Sequence, residues 1–304
     1  MRPLGVLGNV NVDLILGPTA PWPQPGTEVM VAHDDLRVGG AAGNTALAWQ
    51  ALGVPFAIFA SVGSDMFGRW LAEAFGERAT GWPAAGSATT VSVGITHPGG
   101  ERTFFTSRGH LPLFGWADLQ PMLEQSALSG GILLVCGSFL MDGLAADYPA
   151  LFDWADANDV EIALDTGWPV EGWTEPVRAR TMEWLPRCRY LLLNEIETTK
   201  LAGAPDVTDA AQGLLPRLHP DGVVVTKLGP RGAAAHGAGG TIERARAPKV
   251  DVIDTIGAGD VFNAGFLMNI AAGRALAQAL AAGTQLASLA VSTSPRRYVL
   301  EDPT

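Results

Sequence analysis

The sequence predicts an α/β fold: a central, mostly parallel sheet flanked by helices, with a second, small β-sheet beside it. Three observations carry that prediction. Short apolar runs alternate with helical runs through most of the 304 residues, the order of strand–helix–strand units. Several apolar runs end in polar residues, as at Asn11 and Asp13, Asp165, and Asn194, which is where such sheets gather ligands. Two β-rich stretches, 28–38 and 89–107, interrupt the alternation and are expected to form a small separate sheet. The whole chain, 1–304, reads as one domain, with the segments of the small sheet at about 14–38 and 89–108.

Composition narrows the function. Hydrophobic residues make up 47% and charged residues 17%, which suits a globular chain with a large core. No apolar run reaches the ~20 residues of a membrane span, and MRPLGVLGNVNVDLIL is a poor signal peptide and a good first strand. A cytoplasmic enzyme without a membrane partner is expected. The net charge of −11 and the absence of a basic stretch argue against nucleic acid as a partner. Only three of the bases are lysines, so Lys227 stands out by scarcity. Cys136 and Cys188 lie in strand-like segments and read as buried free thiols.

In chain order, Leu4 to Gly8 is a buried strand. Asn11 and Asp13 follow at alternate positions, so they point one way, either into a cleft where amide and carboxylate hold hydroxyls or into an Asx-built turn. Residues 17–27 are a Pro- and Gly-rich connector. Gly39, Gly40 and Asn44 lead into a helix ended by Gly53, and the paired glycines permit close backbone approach to a ligand. Phe56 to Val62 is a strand, and Ser64 and Asp65 cap the next helix, to about Gly76. Thr89–Thr96 and Arg102–Ser107 form a hairpin across HPGG. Of the arginines there, Arg108 is the better candidate for an anionic ligand group. Ile132–Cys136, Val160–Asp165, Arg189–Leu193 and Gly222–Thr226 are strands, with a helix at Ala145–Asn158. Residues 233–253 hold short strands, and Ala271–Ser294 is helical.

Asn194 and Glu197 are three apart on an opening helix and share a face, so they form either a helix cap or a polar site. Lys227, Gly229 and Gly232 lie in a turn after the strand ending at Thr226. The late stretch DTIGAGDVFNAGF, from Asp254 to Phe266, carries the most chemistry. Gly257, Ala258 and Gly259 at a helix start let N–H groups and the helix dipole approach an anion, and phosphate is the natural guest. Asp260 inside that cup is either a base for an attacking hydroxyl or an ordinary first-turn carboxylate.

DTIGAGD resembles the C-terminal signature of the ribokinase-like (PfkB) carbohydrate kinase family, and GGAAGNTALAWQALG resembles its N-terminal signature. LNEIE matches its N-x-x-E motif, and TKLGPRGA resembles its nucleotide-binding turn. The resemblance spans residues 4 to about 293. It implies a ribokinase-like fold, in which the small sheet at 14–38 and 89–108 is a β lid over the sugar, and ATP-dependent phosphorylation of a hydroxyl on a small sugar or sugar derivative. It makes Asp260 the general base and the backbone of Gly257, Ala258 and Gly259 the anion hole. The acceptor would meet Asn11, Asp13, Gly39, Gly40, Asn44 and Arg108. The nucleotide would meet Asn194, Thr226, Lys227, Gly229 and Gly232. Mg²⁺ would be organised through water by Glu197, and a monovalent cation, K⁺, would sit on Asp254 and the carbonyl of Ile256. A homodimer through the lid is also implied.

The ribokinase branch has Lys where this chain has Ala41 and an acid near 137–140 where this chain has none before Asp142, which argues against ribose. A nucleoside acceptor remains open, as does a sugar-binding regulatory protein without turnover. No G-x-x-x-x-G-K-[ST] occurs, and Phe262 stands where a dinucleotide fingerprint needs its third glycine. The five histidines show no metal spacing.

Overall fold

In a computed structural model, which describes residues 1–98 and 102–299, the main sheet has eight strands. Their spatial order is Ile242–Ala245, Ala233–Gly237, Val223–Lys227, Cys188–Asn194, Glu161–Asp165, Ile132–Cys136, Leu4–Leu7 and Ala57–Phe59. The last six pair in parallel, and the two strands at the other edge are antiparallel. The chain starts inside the sheet at Leu4–Leu7, goes first to one edge and then crosses to Ile132–Cys136. That reversal of strand order opens a crevice at the carboxyl ends of the strands.

Strand alternation divides the core into two layers. Ile132, Leu134 and Cys136 face a cluster with Trp49, Phe262, Phe266 and Leu280. Leu133 and Val135 face the opposite cluster, with Leu123, Tyr148, Leu151 and Trp184. A sheet buried on both faces needs near-continuous apolar strands, and these supply them. Trp49 fixes the first layer by donating its indole N–H to the carbonyl of Ala264 (3.0 Å). This ties the helix Ala41–Ala51 to the helix Ala258–Ala271.

The lid is a four-stranded sheet in the order His33–Gly39, Asn11–Gly17, Val91–Thr96, Arg102–Thr106. It begins at Asn11, so Asn11 and Asp13 sit on a lid strand and not in a loop at the end of the main sheet. The first of its other strands starts later than expected, at His33. Gly99 and Gly100 of the hairpin turn lie outside the described residues. Across the lid, Arg37, Asp13, Ser92 and Thr106 form one register row, and Leu36, Leu14, Val93 and Phe105 the next. Neighbouring rows point to opposite faces, so one face carries the polar Asp13 row together with Phe104, and the other carries Leu36 and Phe105, both exposed.

Other elements depart modestly from expectation. The helix expected at 145–158 is broken into Asp142–Ala146 and Tyr148–Ala157. The helix expected from 271 begins at Leu276, because the helix opened by the DTIGAGD stretch runs on through Ala271. Asp65 caps Met66–Phe75 by accepting the N–H of Gly68 (2.9 Å).

Candidate active site

Gly257 is the N-cap of the helix Ala258–Ala271 and has φ 73°, a left-handed backbone that favours glycine. The chain can therefore turn sharply and aim first-turn N–H groups outward. One of these, the N–H of Ala258, donates back to the Thr255 carbonyl (3.2 Å). Asp260 follows in the same turn. Its Oδ2 accepts from the amide of Asn44 (2.8 Å), and its backbone carbonyl accepts from the hydroxyl of Thr45 (3.1 Å). Burial pushes its carboxyl up to about 7, helped by the charge of Asp165 and opposed by Asn44 and Lys227. A carboxylate poised there can take a proton at neutral pH.

Lys227, at the end of its strand, reaches under the same turn. A Cβ on Gly259 would stand 3.3 Å from its Nζ. Lys227 donates to Asp165 Oδ2 (2.6 Å) and to Asn263 Oδ1 (3.4 Å), and Asn263 donates to the same carboxylate oxygen (2.6 Å). The Lys227 and Asp165 side chains are 12% and 8% exposed. Burial would lower the ammonium's pKa, but Asp165 and Glu197 outweigh it and raise it, so Lys227 stays charged beside the glycine turn. In the sequence Asp165 stands out only as a polar strand end, and Asn263, inside an apolar helical run, carries no signal.

Asn194 and Glu197 form a reciprocal cap. Asn194 Oδ1 accepts the N–H of Glu197, and Glu197 Oε2 accepts the N–H of Asn194, both at 2.9 Å. Burial, then the charge of Asp165, lifts the Glu197 carboxyl well above the usual range, against the pull of Lys227. The Thr226 side chain is turned away from this face. Strand alternation sends it to the opposite layer, wholly buried, with its hydroxyl 3.3 Å from that of Thr198. The Thr226 side chain therefore does not line the cavity bordered by Lys227.

Lys227, Gly229 and Gly232 instead line a cavity of about 700 Å³ with Ala258, Gly259, Phe262, Pro248 and Val250. Its size suits a nucleotide, and its walls are mostly apolar. As for Mg²⁺, no cluster of three or more acidic, His or Cys ligands exists among the described residues. One buried carboxylate with an oxygen tied to backbone fits an ion held mainly by phosphates and reached through water.

On the lid side, Asn9, Asn11 and Asp13 form a chain of hydrogen bonds. Asn9 donates to Asn11 Oδ1 (3.0 Å) and Asn11 to Asp13 Oδ1 (2.8 Å). Burial raises the Asp13 carboxyl to about 6, opposed by Arg37 and Asn11. A Cβ on Gly39 would overlap the Asp13 carboxyl, so the glycine makes room for that acid. Gly40 caps the helix that carries Asn44, and a Cβ on Gly257 would lie 2.7 Å from the Asn44 amide. The structure thus brings Asn44, Gly257 and Asp260 together, with Asp13 on the adjoining lid strand. Asn9 was not singled out, although its Oδ1 also accepts the N–H of Ala41 (3.2 Å).

Arg108 does not join this cluster. Its side chain is 83% exposed and pairs with Asp142 (3.2 Å). Both line a second cavity, of about 960 Å³, with Phe104, Phe139 and Trp168. It adjoins the Asn9–Asn11–Asp13 chain through Thr106, whose hydroxyl is 2.9 Å from Ser92, itself 3.4 Å from the Asn11 amide. Trp22 lies at the outer end of the lid, stacked on Phe105.

The oxygens expected to hold a monovalent cation already carry guanidinium groups. Asp254 Oδ2 accepts from Arg37 (2.7 Å) and Arg296 (3.1 Å), and Arg296 also donates to the Ile256 carbonyl (2.5 Å). Burial would raise the Asp254 carboxyl, but the N–H of Ile256 and the two arginines hold it below the ordinary value.

With a crevice at the strand ends, a glycine turn under a poised carboxylate and a buried lysine beside it, the molecule has the parts of a phosphotransferase. The sequence matches the pfkB family carbohydrate kinases over residues 1–302, and the chain belongs to that family. Ribokinase of Arabidopsis thaliana is 24% identical over 299 residues, 95% of this chain and 76% of that protein. Fructokinase of Klebsiella pneumoniae is 29% identical over 248 residues, 77% of each. The solved structure of Arabidopsis thaliana ribokinase complexed with ribose and ATP superposes with a TM-score of 0.78 at 22% identity, covering 96% of this chain and 93% of that one. The fold is that of the ribokinases, and the chain is a carbohydrate kinase of this family.

Proposed function

We propose that the protein transfers the γ-phosphoryl group of ATP to a hydroxyl of a small sugar or sugar derivative, with Asp260 as the general base. The observation that carries this is the setting of the Asp260 carboxylate. It stands in the first turn of a glycine-opened helix, bonded to Asn44 from the acceptor side, with Lys227 beneath the same turn. A regulatory sugar binder has no need of a carboxylate poised near neutrality beside an anion cup.

The acceptor hydroxyl gives its proton to Asp260, its oxygen bonds to the γ-phosphorus, and the bond from that phosphorus to the β–γ bridging oxygen breaks to release ADP. N–H groups of Gly257, Ala258 and Gly259 at the helix start receive the charge that develops on the transferring group. The Ala258 N–H must leave the Thr255 carbonyl to take part. Lys227, kept charged by Asp165, faces the same oxygens, and Gly229 and Gly232 border the nucleotide. When bound, Mg²⁺ offsets phosphate charge, with Asn194 and Glu197 holding its waters. Asn11, Asp13, Gly39, Gly40 and Asn44 orient the acceptor.

A second reading, a nucleoside acceptor, draws support from the aromatic wall of Phe104, Phe139 and Trp168, since a base stacks on such surfaces. The exposed Leu36 and Phe105 on the outer lid face suit a homodimer. Among the described residues no helix is long and apolar enough to cross a membrane, and the buried free thiols of Cys136 and Cys188 fit a reducing cytoplasm.

The deciding experiment is ATP consumption with Mg²⁺ against ketohexoses, aldopentoses, sugar acids and nucleosides. One acceptor far above the rest supports the reading and chooses between sugar and nucleoside. ATP binding without turnover on any acceptor, together with sugar-induced thermal stabilisation, overturns it in favour of a binder.

A further inference from the structure

Resting on the kinase reading above, we propose that Arg296 is a tethered cation that takes the place of a monovalent metal ion beside the anion hole, so that this kinase works without K⁺. The residues that would hold such an ion do not fit it as they stand. Asp254 Oδ2 and the Ile256 carbonyl both accept from Nη2 of Arg296, at 3.1 and 2.5 Å. A second guanidinium, from Arg37 on the lid, lies on the same Asp254 oxygen at 2.7 Å. The other oxygen of Asp254 is used by the N–H of Ile256 (2.8 Å). An added metal ion would meet two fixed positive charges and no uncommitted carboxylate oxygen.

The guanidinium supplies what an ion there would supply. It carries one positive charge, and it cannot lose that charge at any working pH. It holds the backbone that leads into the glycine turn, because Ile256 immediately precedes Gly257. A Cβ on Gly257 would lie 3.2 Å from Arg296 Nη1, so the group touches the turn itself. Its side chain is 13% exposed, so exchange with solvent ions is blocked. Its partner is anchored as well: the N–H groups of Ile253 and Asp254 both donate to the Val291 carbonyl at the end of the last long helix (2.8 and 3.2 Å). Arg296 does not reach the reacting atoms through a hydrogen bond. It is a positioning residue, acting on the turn through Asp254 and Ile256.

The test uses the full chain, with KCl exchanged for choline chloride at constant ionic strength. The wild-type kcat is expected to change by less than about twofold between the two salts. Arg296→Ala is expected to lose roughly tenfold or more of kcat in choline chloride and to regain much of it in KCl but not in LiCl. Thermal unfolding gives a readout that needs no acceptor. Only the Arg296→Ala protein should be stabilised by K⁺ over choline. This separates the proposal from the kinase reading, because the thermal result stands even if no acceptor is turned over.

Wild-type activation by K⁺ beyond about fivefold, or K⁺-specific stabilisation of the wild type, overturns the proposal. So does an Arg296→Ala protein that matches the wild type in both salts, or one that folds, loses activity and ignores K⁺. Arg296→Gln keeps the side-chain bulk without the charge and replaces the alanine variant if that does not fold. If neither folds, the wild-type comparison decides alone: indifference to K⁺ supports the proposal and activation overturns it.

Discussion

The two sides of the crevice are built differently. On the phosphoryl side, Asp165, Lys227, Asn263, Glu197 and Asp260 form a buried web in which almost every charge has a named partner. On the acceptor side, a short polar chain of Asn9, Asn11 and Asp13 gives way to an open cavity walled by Phe104, Phe139 and Trp168. On the proposed mechanism, the first side would fix the geometry of the reaction and the second would leave room for the acceptor. Variants should therefore separate into losses of turnover on one side and changes of acceptor affinity on the other.

The largest effect should come from Asp260→Asn. Its kcat should fall ~10²–10⁴-fold with the KM for ATP nearly unchanged, and steady-state kinetics with saturating acceptor would show it. The same substitution should stabilise the fold. The Asp260 carboxyl titrates at about 7 in the folded protein against an ordinary 3.8, so its contribution to stability is present below pH 4 and is lost as pH rises through 7. At pH 8 the asparagine variant should melt a few degrees higher, with the gain vanishing toward pH 4. Wild-type kcat/KM should rise with pH through about 7, where the base becomes available. A flat profile across that range would remove Asp260 from the base role.

Lys227→Met comes next, with kcat reduced by roughly 10². It also leaves the Asp165 carboxylate buried without its cation, at a cost of about 3 kcal/mol. The double variant Lys227→Met/Asp165→Asn should regain much of that stability in denaturant titrations without regaining activity. Recovery of both would reduce the lysine to a structural role.

These two expectations show what the sequence could and could not reveal. The Gly257–Asp260 turn and the Asn194–Glu197 cap are contiguous, so their chemistry is written within a few residues. The Asp165 carboxylate is joined to Lys227 across 62 positions and to Asn263 across 98, and no local pattern announces such pairs. The buried side of Thr226 was not legible either, because neighbouring strand residues face opposite layers and only packing decides which is which. Arg296 follows the last long helix in a stretch without a motif, and its role appears only where it meets Asp254. The α/β architecture was legible because apolar strand runs repeat, but the lid's start at Asn11 was not, since two short strands divided by Gly8 and Asn9 look like one.

On the acceptor side, Asp13→Asn should raise the acceptor KM about 10–100-fold, the range for losing a buried charged hydrogen bond, with little change in the KM for ATP. A matching rise in the ATP KM would mean that the lid strand closes over both substrates and that the two sides are not separable.

The smallest effects should be those of Phe104→Ala and Trp168→Ala, about 3–10-fold in acceptor KM, because both rings are half exposed and lose only part of their contact area. Their value lies in comparing acceptors. A small sugar held by Asn11 and Asp13 offers no planar base to these rings, so its kinetics should move little. An acceptor with a planar base would stack there, and its KM should rise toward the upper end of that range in both variants. If neither variant changes KM for the best acceptor while Asp13→Asn does, the aromatic cavity is not part of acceptor recognition and the sugar reading stands over the nucleoside one.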